Sequence, residues 1–228
     1  RAVTGCDVLV AVMSGNFVQR GEPAILDKWK RAAMAVTQGC DLIIELPYPW
    51  VTQSASHFAE GAVTLLKLAQ VSSLVFGSES NNLQELKEIA SMPINPDHLK
   101  ESLAAGLAFP KAYGLWAKEM LRNDILGVAY LKQLQDSPIT PYTIQRTVGY
   151  HETALQGPVA SAKAIRLAAE QECFSDEQTP MASALKTGPR VSLAQFYPYL
   201  RMMLTTMPVH VLQTYFLFSE GIEVHLAH

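Results

Sequence analysis

A polar loop with two glycines follows the first apolar run of the sequence, and it contains side chains that could hold an anion. The loop spans residues 14–21 and offers Gln19 and Arg20. The helix predicted after it carries Lys28 and Arg31, which are three residues apart and share a face. Such a face can bind phosphate or RNA, although basic runs more often form a solvated helix surface. These four polar side chains are therefore candidates for the substrate or RNA side of a site, with a solvated face as the alternative.

Other candidate residues lie later in the chain, at the starts of predicted helices or the end of a strand. Gly77 follows an apolar run, where a glycine lets a ligand approach the backbone or simply makes a tight turn. Asn123 can cap a helix, which by itself would explain it. Ser161 begins a helix whose unpaired N–H groups and dipole favour an anion, and Lys163 and Arg166 could complete a phosphate site. An ordinary capped amphipathic helix explains that last segment equally well.

The elements that must position these residues are alternating strands and helices. Apolar runs at 8–13, 42–46 and 73–76 predict strands, and their starts near residues 8, 42 and 74 lie 34 and 32 residues apart. That spacing is typical of βαβ units and predicts a parallel sheet. Ligands bind beyond the carboxyl ends of strands in such sheets, where the loops at 14–21 and 77–80 are expected.

The rest of the chain reads as largely helical. Residue 82 opens a helical pattern, and two prolines make 138–147 a loop or a short edge strand. The polar stretch 173–189 reads as a linker or mobile loop. We predict an α/β, parallel-sheet, Rossmann-like domain over 1–172 and a helical region over 173–228. The further predicted helices span 99–107, 112–121, 125–134, 161–171, 192–205 and 209–219.

Composition excludes several classes of protein. With 49% hydrophobic residues the 228-residue chain can bury a sizeable core, and no apolar run approaches the ~20 residues needed to cross a bilayer. The three cysteines are widely spaced, and no two histidines have a metal-ligand spacing with partner carboxylates or cysteines. We therefore expect no protein-bound metal and a reducing, cytoplasmic environment. No Walker, GxSxG or GxGxxG motif is present.

Charge is unevenly distributed along this mildly acidic chain, whose net charge is −3. Residues 100–166 contain eight Lys or Arg against five Asp or Glu, which gives +3, whereas 167–177 contain four acidic residues and no basic one. This segregation is compatible with a basic groove that binds RNA.

Several long and specific blocks together resemble the bacterial tRNA(Met) cytidine acetate ligase family. The longest is VMSGNFVQRGEPAILDKWKRA at 12–32. The resemblance covers nearly the whole chain. The other blocks are DLIIELP at 41–47, FGSES at 76–80, NDILG at 123–127, GYH at 149–151 and EGIE at 220–223.

The resemblance implies a nucleotidyltransferase-like fold and a two-step reaction. ATP would activate acetate as acetyl-adenylate and release pyrophosphate. The acetyl group would then pass to N4 of the wobble cytidine of elongator tRNA(Met), leaving AMP. The substrates and partners implied are thus ATP, with Mg²⁺ expected to accompany it, acetate and tRNA, and no membrane.

The resemblance also assigns residues. Gly77, Asn123 and Arg146 match the family's ATP-contacting positions, and a guanidinium such as that of Arg146 suits phosphate oxygens. Ser161 and Arg166 resemble a second phosphate-binding signature at a helix start. Gln19, Arg20, Lys28 and Arg31 remain candidates, from the residues alone, for the acetate or tRNA side.

One part of the family pattern is not found in this sequence. The family opens with a strand and an HxGH-type motif that holds the ATP phosphates, and no such motif precedes Val8. Family members also extend beyond the position of His228. We therefore expect a piece of a longer protein, catalytic residues that the sequence does not identify, and little or no adenylation by these 228 residues alone.

Two other functions remain open at this point. A small-molecule adenylyltransferase of the same fold would transfer AMP to a phosphorylated metabolite and ignore acetate and tRNA. A non-catalytic RNA-binding fragment would bind tRNA and leave ATP untouched.

Overall fold

The computed structural model describes residues 1–19, 21–92, 122–146, 160–171 and 179–215, with only the backbone at 122 and 123. The chain divides into two compact units, Arg1–Pro189 and Arg190–His228. The predicted domain boundary at 172/173 stays a prediction. No helix in the described ranges is both long and apolar enough to cross a membrane.

The strands form two parallel pairs, which confirms the predicted α/β class. Strand β1 (Val10–Ser14) pairs with β2 (Leu42–Leu46), with Val10 opposite Leu42. Strand β3 (Ser73–Ser78) pairs with β4 (Thr140–Gln145), with Ser73 opposite Thr140. In the described residues the two pairs are not hydrogen-bonded to each other, so the sheet is interrupted between β1 and β3.

Local capping signals explain where the helices of the first half begin. Helix α1 (Lys28–Thr37) follows Asp27, whose carboxylate accepts the N–H of Lys30 at 2.9 Å, as predicted. Helix α4 (Leu83–Ser91) begins after Asn82 in the same way, with the N–H of Glu85 donating to the Asn82 side chain. Between them lie α2 (Tyr48–Val51) and α3 (Ala55–Leu68).

The helices of the second half correct one prediction. Helix α5 (Arg122–Gln133) and helix α6 (Ala162–Glu170) lie where helices are expected. Helix α7 (Ala182–Thr187), however, lies within the stretch predicted to be a linker. It forms because Ala182 and Leu185, three residues apart on one face, are both buried. The predicted helices at 99–107 and 112–121 lie outside the described residues.

The core of the first unit lies between the strands and helices α3, α4 and α5. One cluster joins Phe76 of β3 to Leu86 and Ile89 of α4 and Val128 of α5. A second joins Val63 and Leu66 of α3 to Ile139. A third joins Leu46, Val51 and Ala62. Helix α5 therefore fixes the end of β3, which is where a ligand site is expected.

Two strands depart from the buried pattern of interior parallel strands. All five residues of β1 are only half-buried, although four of them are apolar. Strand β4 carries Pro141, opposite Leu74, and pairs with β3 alone in the described part of the chain. It is therefore the short edge strand that was one of two predictions for 138–147.

The second unit is helical and lies in the region predicted to be helical. A short 3₁₀ turn (Leu193–Gln195) precedes helix α8 (Tyr197–Thr206), and α9 (Val209–Leu212) follows. The side chain of Gln195 accepts the N–H of Ser192 at 3.2 Å at its start. Tyr197, Tyr199 and Met202 are largely exposed on α8.

Candidate functional site

The loop after β1 is folded back on helix α1 by polar side chains. Asn16 accepts the N–H of Lys28 at 3.1 Å through its side-chain oxygen, which ties the loop to the start of α1. Arg31 donates through one guanidinium nitrogen to the carbonyl of Gly15 at 2.6 Å and through the other to that of Ser14 at 2.9 Å. The guanidinium thus satisfies the carbonyl groups at the end of β1, a role that the sequence does not reveal.

The candidate cations of α1 already have partners. Lys28 forms an ion pair with Glu45 at 2.6 Å and lies 5.2 Å from the centre of the Trp29 ring. Burial lowers the pKa of Arg31, and the nearby positive charge of Arg166 lowers it further. The guanidinium nevertheless stays charged at neutral pH, because its ordinary pKa is above 12.

Gln19 lies at the tip of this loop. The N–H of Val18 donates to the carbonyl of Glu22 at 2.9 Å, and Phe17 forms a bridge with Pro23, so the loop is a tight antiparallel turn. Arg20 lies outside the described residues.

Helix α6 is joined to the same loop by charge. Arg166 forms an ion pair with Glu22 at 3.4 Å. Ser161 accepts the N–H of Ala164 at 3.0 Å and is buried, so it caps the helix as expected. The structure therefore brings Arg166 and Arg31 together at the loop after β1. We call this group, with Lys28, Glu45 and Glu22, the first-loop cluster.

The end of β3 is held by a buried carboxylate that sequence analysis missed. Asp124 accepts the Ser78 hydroxyl at 2.5 Å and the N–H groups of Glu79 and Ser80, both at 3.1 Å. It is only 3% exposed. The Glu79 carboxylate accepts the N–H of Asp124 in return, also at 3.1 Å. We call this group the Asp124 network; the sequence signal for it is an acid at a helix start and a strand ending in Gly-Ser-Glu-Ser.

Gly77 and Arg146, two of the predicted ATP-contacting residues, lie side by side. The Arg146 N–H donates to the carbonyl of Ser78 at 2.9 Å, because β4 runs beside β3 and ends where β3 ends. A Cβ on Gly77 would lie 3.2 Å from Cγ of Arg146. The absence of a side chain at 77 therefore leaves room for the exposed Arg146 side chain.

The backbone of Asn123, the third predicted ATP-contacting residue, lies in the first turn of α5, directly before Asp124. The Asp124 network consequently holds this backbone near the end of β3. Ser161 and Arg166 belong instead to the first-loop cluster, so the candidate residues form two groups at two strand ends.

A cavity of about 830 Å³ extends beside β1 and β3 and reaches both Gly77 and Arg146. Tyr130 of α5 lines it, and its ring lies 5.8 Å from that of Phe76. Burial raises the pKa of Tyr130 to about 12. The wall is thus largely apolar and uncharged, with the Arg146 guanidinium at one end.

The arrangement at the end of β3 suits an anion more than a cation. Arg146 has no acidic ion-pair partner among the described residues. No three His, Cys, Asp or Glu residues of the described ranges are grouped as metal ligands. A phosphate group could accept hydrogen bonds from the guanidinium there.

Comparisons with known proteins agree with this geometry. The family model described as HIGH Nucleotidyl Transferase matches residues 1–228. The tRNA(Met) cytidine acetate ligase of Caldanaerobacter subterraneus subsp. tengcongensis is 40% identical over 97% of this chain and 62% of its own length. That of Clostridium novyi is 41% identical over 73% of this chain and 47% of its own length. The chain therefore spans less than two thirds of these relatives.

Solved structures give the same result. Apo Thermotoga maritima TmcAL superposes with a TM-score of 0.85 at 33% identity, over all of this chain and 62% of that one. The form of the same protein bound with alpha-thio ATP gives 0.82 at 31% identity, over all of this chain and 60% of that one. Parallel strand pairs, a strand end built around glycine and arginine, and a family match along the full sequence lead to one conclusion: the chain belongs to the HIGH nucleotidyl transferase family.

Proposed function

We propose that the chain is the nucleotide-binding part of an ATP-dependent ligase that forms N4-acetylcytidine at the wobble position of elongator tRNA(Met). Acetate attacks the α-phosphate of ATP, forming acetyl-adenylate and releasing pyrophosphate. The cytidine amine then attacks the acetyl carbonyl and AMP leaves. The observation that carries this proposal is the Gly77–Arg146 pair at the end of β3, in a chain 40% identical to ligases of that name.

The chemistry explains the need for ATP. The exocyclic amine of cytidine is a weak nucleophile because its lone pair is delocalised into the ring. A mixed anhydride supplies a good leaving group, so the protein mainly has to place the reactants and stabilise charge on the phosphates.

The proposed roles follow the two groups of residues. Gly77, Asn123 and Arg146 contact ATP at the end of β3, where Arg146 donates to phosphate oxygens. Ser161 and Arg166 form a second phosphate contact at the start of α6. Gln19, Arg20, Lys28 and Arg31 lie on the acetate or tRNA side. Mg²⁺ enters with the ATP phosphates, and the reaction takes place in the cytoplasm.

ATP binding by the 228-residue chain tests the first of these roles. Arg146→Ala should weaken ATP binding by about tenfold or more, because a charge-assisted contact to phosphate is lost. Isothermal titration with ATP measures this. Arg201→Ala, an exposed arginine of the second unit, is the matched control. Equal ATP affinity in the two variants would remove Arg146 from the site.

The reaction itself is tested on the whole protein. Pyrophosphate release should require acetate, and acetylcytidine should appear only when tRNA(Met) is added. Release that is indifferent to acetate but depends on a phosphorylated metabolite would favour a small-molecule adenylyltransferase instead.

A further inference from the structure

The two strand pairs present facing edges whose backbone groups can be identified from the register. Leu9 accepts the N–H of Asp41 and that of Leu42, so odd-numbered residues of β1 face β2. Successive residues of a strand alternate, and the N–H and C=O of a residue in a parallel pair point the same way. The N–H and C=O groups of Val10 and Val12 therefore point away from β2.

The same reasoning applies to β3. The N–H of Thr140 donates to the carbonyl of Ser72, and that of Arg146 donates to the carbonyl of Ser78. Even-numbered residues of β3 thus face β4. The N–H and C=O groups of Ser73, Val75 and Gly77 point away from it.

The apolar cavity of about 830 Å³ lies along these two edges. Its wall includes residues 8–12 of the first strand and 73–77 of the third, with Phe58, Leu66 and Tyr130 around them. Unpaired backbone groups beside an apolar wall are costly unless another chain segment pairs with them. The half-burial of every residue of β1 is a second sign that this side of the strand lacks a neighbour.

The size of the cavity indicates what would fill it. One residue of an interior strand occupies about 160 Å³, from a rise of about 3.3 Å, a strand spacing of about 4.8 Å and a layer spacing of about 10 Å. A cavity of 830 Å³ therefore holds about five strand residues. That number matches the five residues of β1 and nearly the six of β3.

We propose that this cavity receives one extended, apolar, β-branched segment of about five residues, which pairs with β1 and β3 at once and joins the two strand pairs into one parallel sheet. Backbone hydrogen bonds to Val10, Val12, Ser73, Val75 and Gly77 supply the register. Valine and isoleucine side chains of the segment cover the cavity wall. The proposal does not depend on the proposed function, because strand pairing needs no nucleotide.

Binding of a synthetic peptide to the 228-residue chain tests this. The probe is a fluorescein-labelled peptide with five alternating valines and isoleucines between lysines that keep it soluble. Fluorescence anisotropy should show saturable binding. A peptide with proline at the central position should bind at least about tenfold more weakly, because proline removes a backbone donor and cannot extend an interior strand. Equal binding of the two peptides, or no binding of either, would overturn the proposal.

Amide hydrogen exchange, measured residue by residue by NMR, locates the segment. The peptide should protect the amides of Val10, Val12, Ser73, Val75 and Gly77. Protection confined to other parts of the chain would overturn the assignment.

A variant of the chain provides an independent control. Val75→Pro removes an N–H that points into the cavity without removing a hydrogen bond to β4, and Val75→Ala is the matched substitution that keeps this N–H. Peptide affinity should fall at least about tenfold in Val75→Pro relative to Val75→Ala. Comparable affinity in the two, with both folded by circular dichroism, would count against pairing at β3.

Discussion

The loop after β1 and the end of β3 occupy equivalent places in the two strand pairs, yet they are held together differently. The first-loop cluster relies on half-exposed ion pairs, such as Lys28–Glu45 and Arg166–Glu22, and on Arg31 bound to backbone carbonyls. The Asp124 network relies on one buried carboxylate that accepts a hydroxyl and two N–H groups. A buried acceptor without a partner is costly, whereas exposed ion pairs contribute little.

The difference separates scaffold from binding surface. At the end of β3 the backbone is fixed by Asp124, so Arg146 does not have to hold the strand end together. In the first-loop cluster the cations themselves hold the loop. Arg31 there is a positioning residue before it is a candidate ligand for a substrate.

The largest expected effect is the loss of the buried carboxylate. Asp124→Ala should lower the free energy of unfolding by about 3 kcal/mol or more, because it leaves three buried donors without an acceptor. Glu22→Ala, which breaks an ion pair in the first-loop cluster, should cost less than about 1 kcal/mol. Urea denaturation of both variants measures the comparison. Similar losses would mean that the two regions are held with equal strength.

Alkaline pH should weaken the side of the molecule near β3 through Tyr130. Its pKa of about 12 in the folded chain lies above the ordinary value near 10, so the unfolded chain releases this proton first. The contribution is fully present below pH 10 and is lost as pH rises to 12, up to roughly 2–3 kcal/mol.

Unfolding free energies measured between pH 9 and 12 test this expectation. Tyr130→Phe should show a shallower decline than the parent chain, and Tyr48→Phe, at a more exposed ring, is the matched control for removing a phenol. An unchanged pH slope in Tyr130→Phe would contradict the role of this residue.

Two glycines sharpen the comparison at the smallest scale. A Cβ on Gly127 would lie 2.6 Å from the Phe76 ring, which is packed in the core, whereas one on Gly15 would lie 2.2 Å from a carboxylate oxygen of Glu45, the end of a flexible side chain. Gly127→Ala should therefore cost about 1–3 kcal/mol and Gly15→Ala less than about 1 kcal/mol. Thermal unfolding of the two variants gives the order. A larger loss for Gly15→Ala would show that the Lys28–Glu45 pair matters more than its exposure suggests.

Local signals in the sequence predict local features well. The caps at Asp27 and Ser161 and the bounds of β2 agree with the structure because each depends on neighbouring residues. The Asp124 network escapes prediction because its partners are about 45 residues away. Helix α7 escapes it for a related reason, since a polar six-residue segment becomes helical only where its two apolar residues find a core.

The candidate site shows the same limit. A resemblance places Gly77 and Arg146 in one site, and the structure brings them into contact through the β3–β4 register. No spacing in the sequence indicates that Arg31 binds the carbonyls of Ser14 and Gly15, since a guanidinium is usually assigned to an acid or a phosphate. The interruption between β1 and β3 is likewise a property of strand order, which hydrophobic runs do not encode.

Pro141 has a consequence for how this sheet can grow. In the register of β4, Thr140 and Tyr142 face β3, so Pro141 faces outward, on the edge away from the cavity. An incoming strand finds a missing donor there, whereas the edges of β1 and β3 that line the cavity are not interrupted by proline. The protein is thus protected against stacking with copies of itself at its outer rim while it stays open at its centre, so that a strand can enter where it completes the sheet and not where it would begin a fibre.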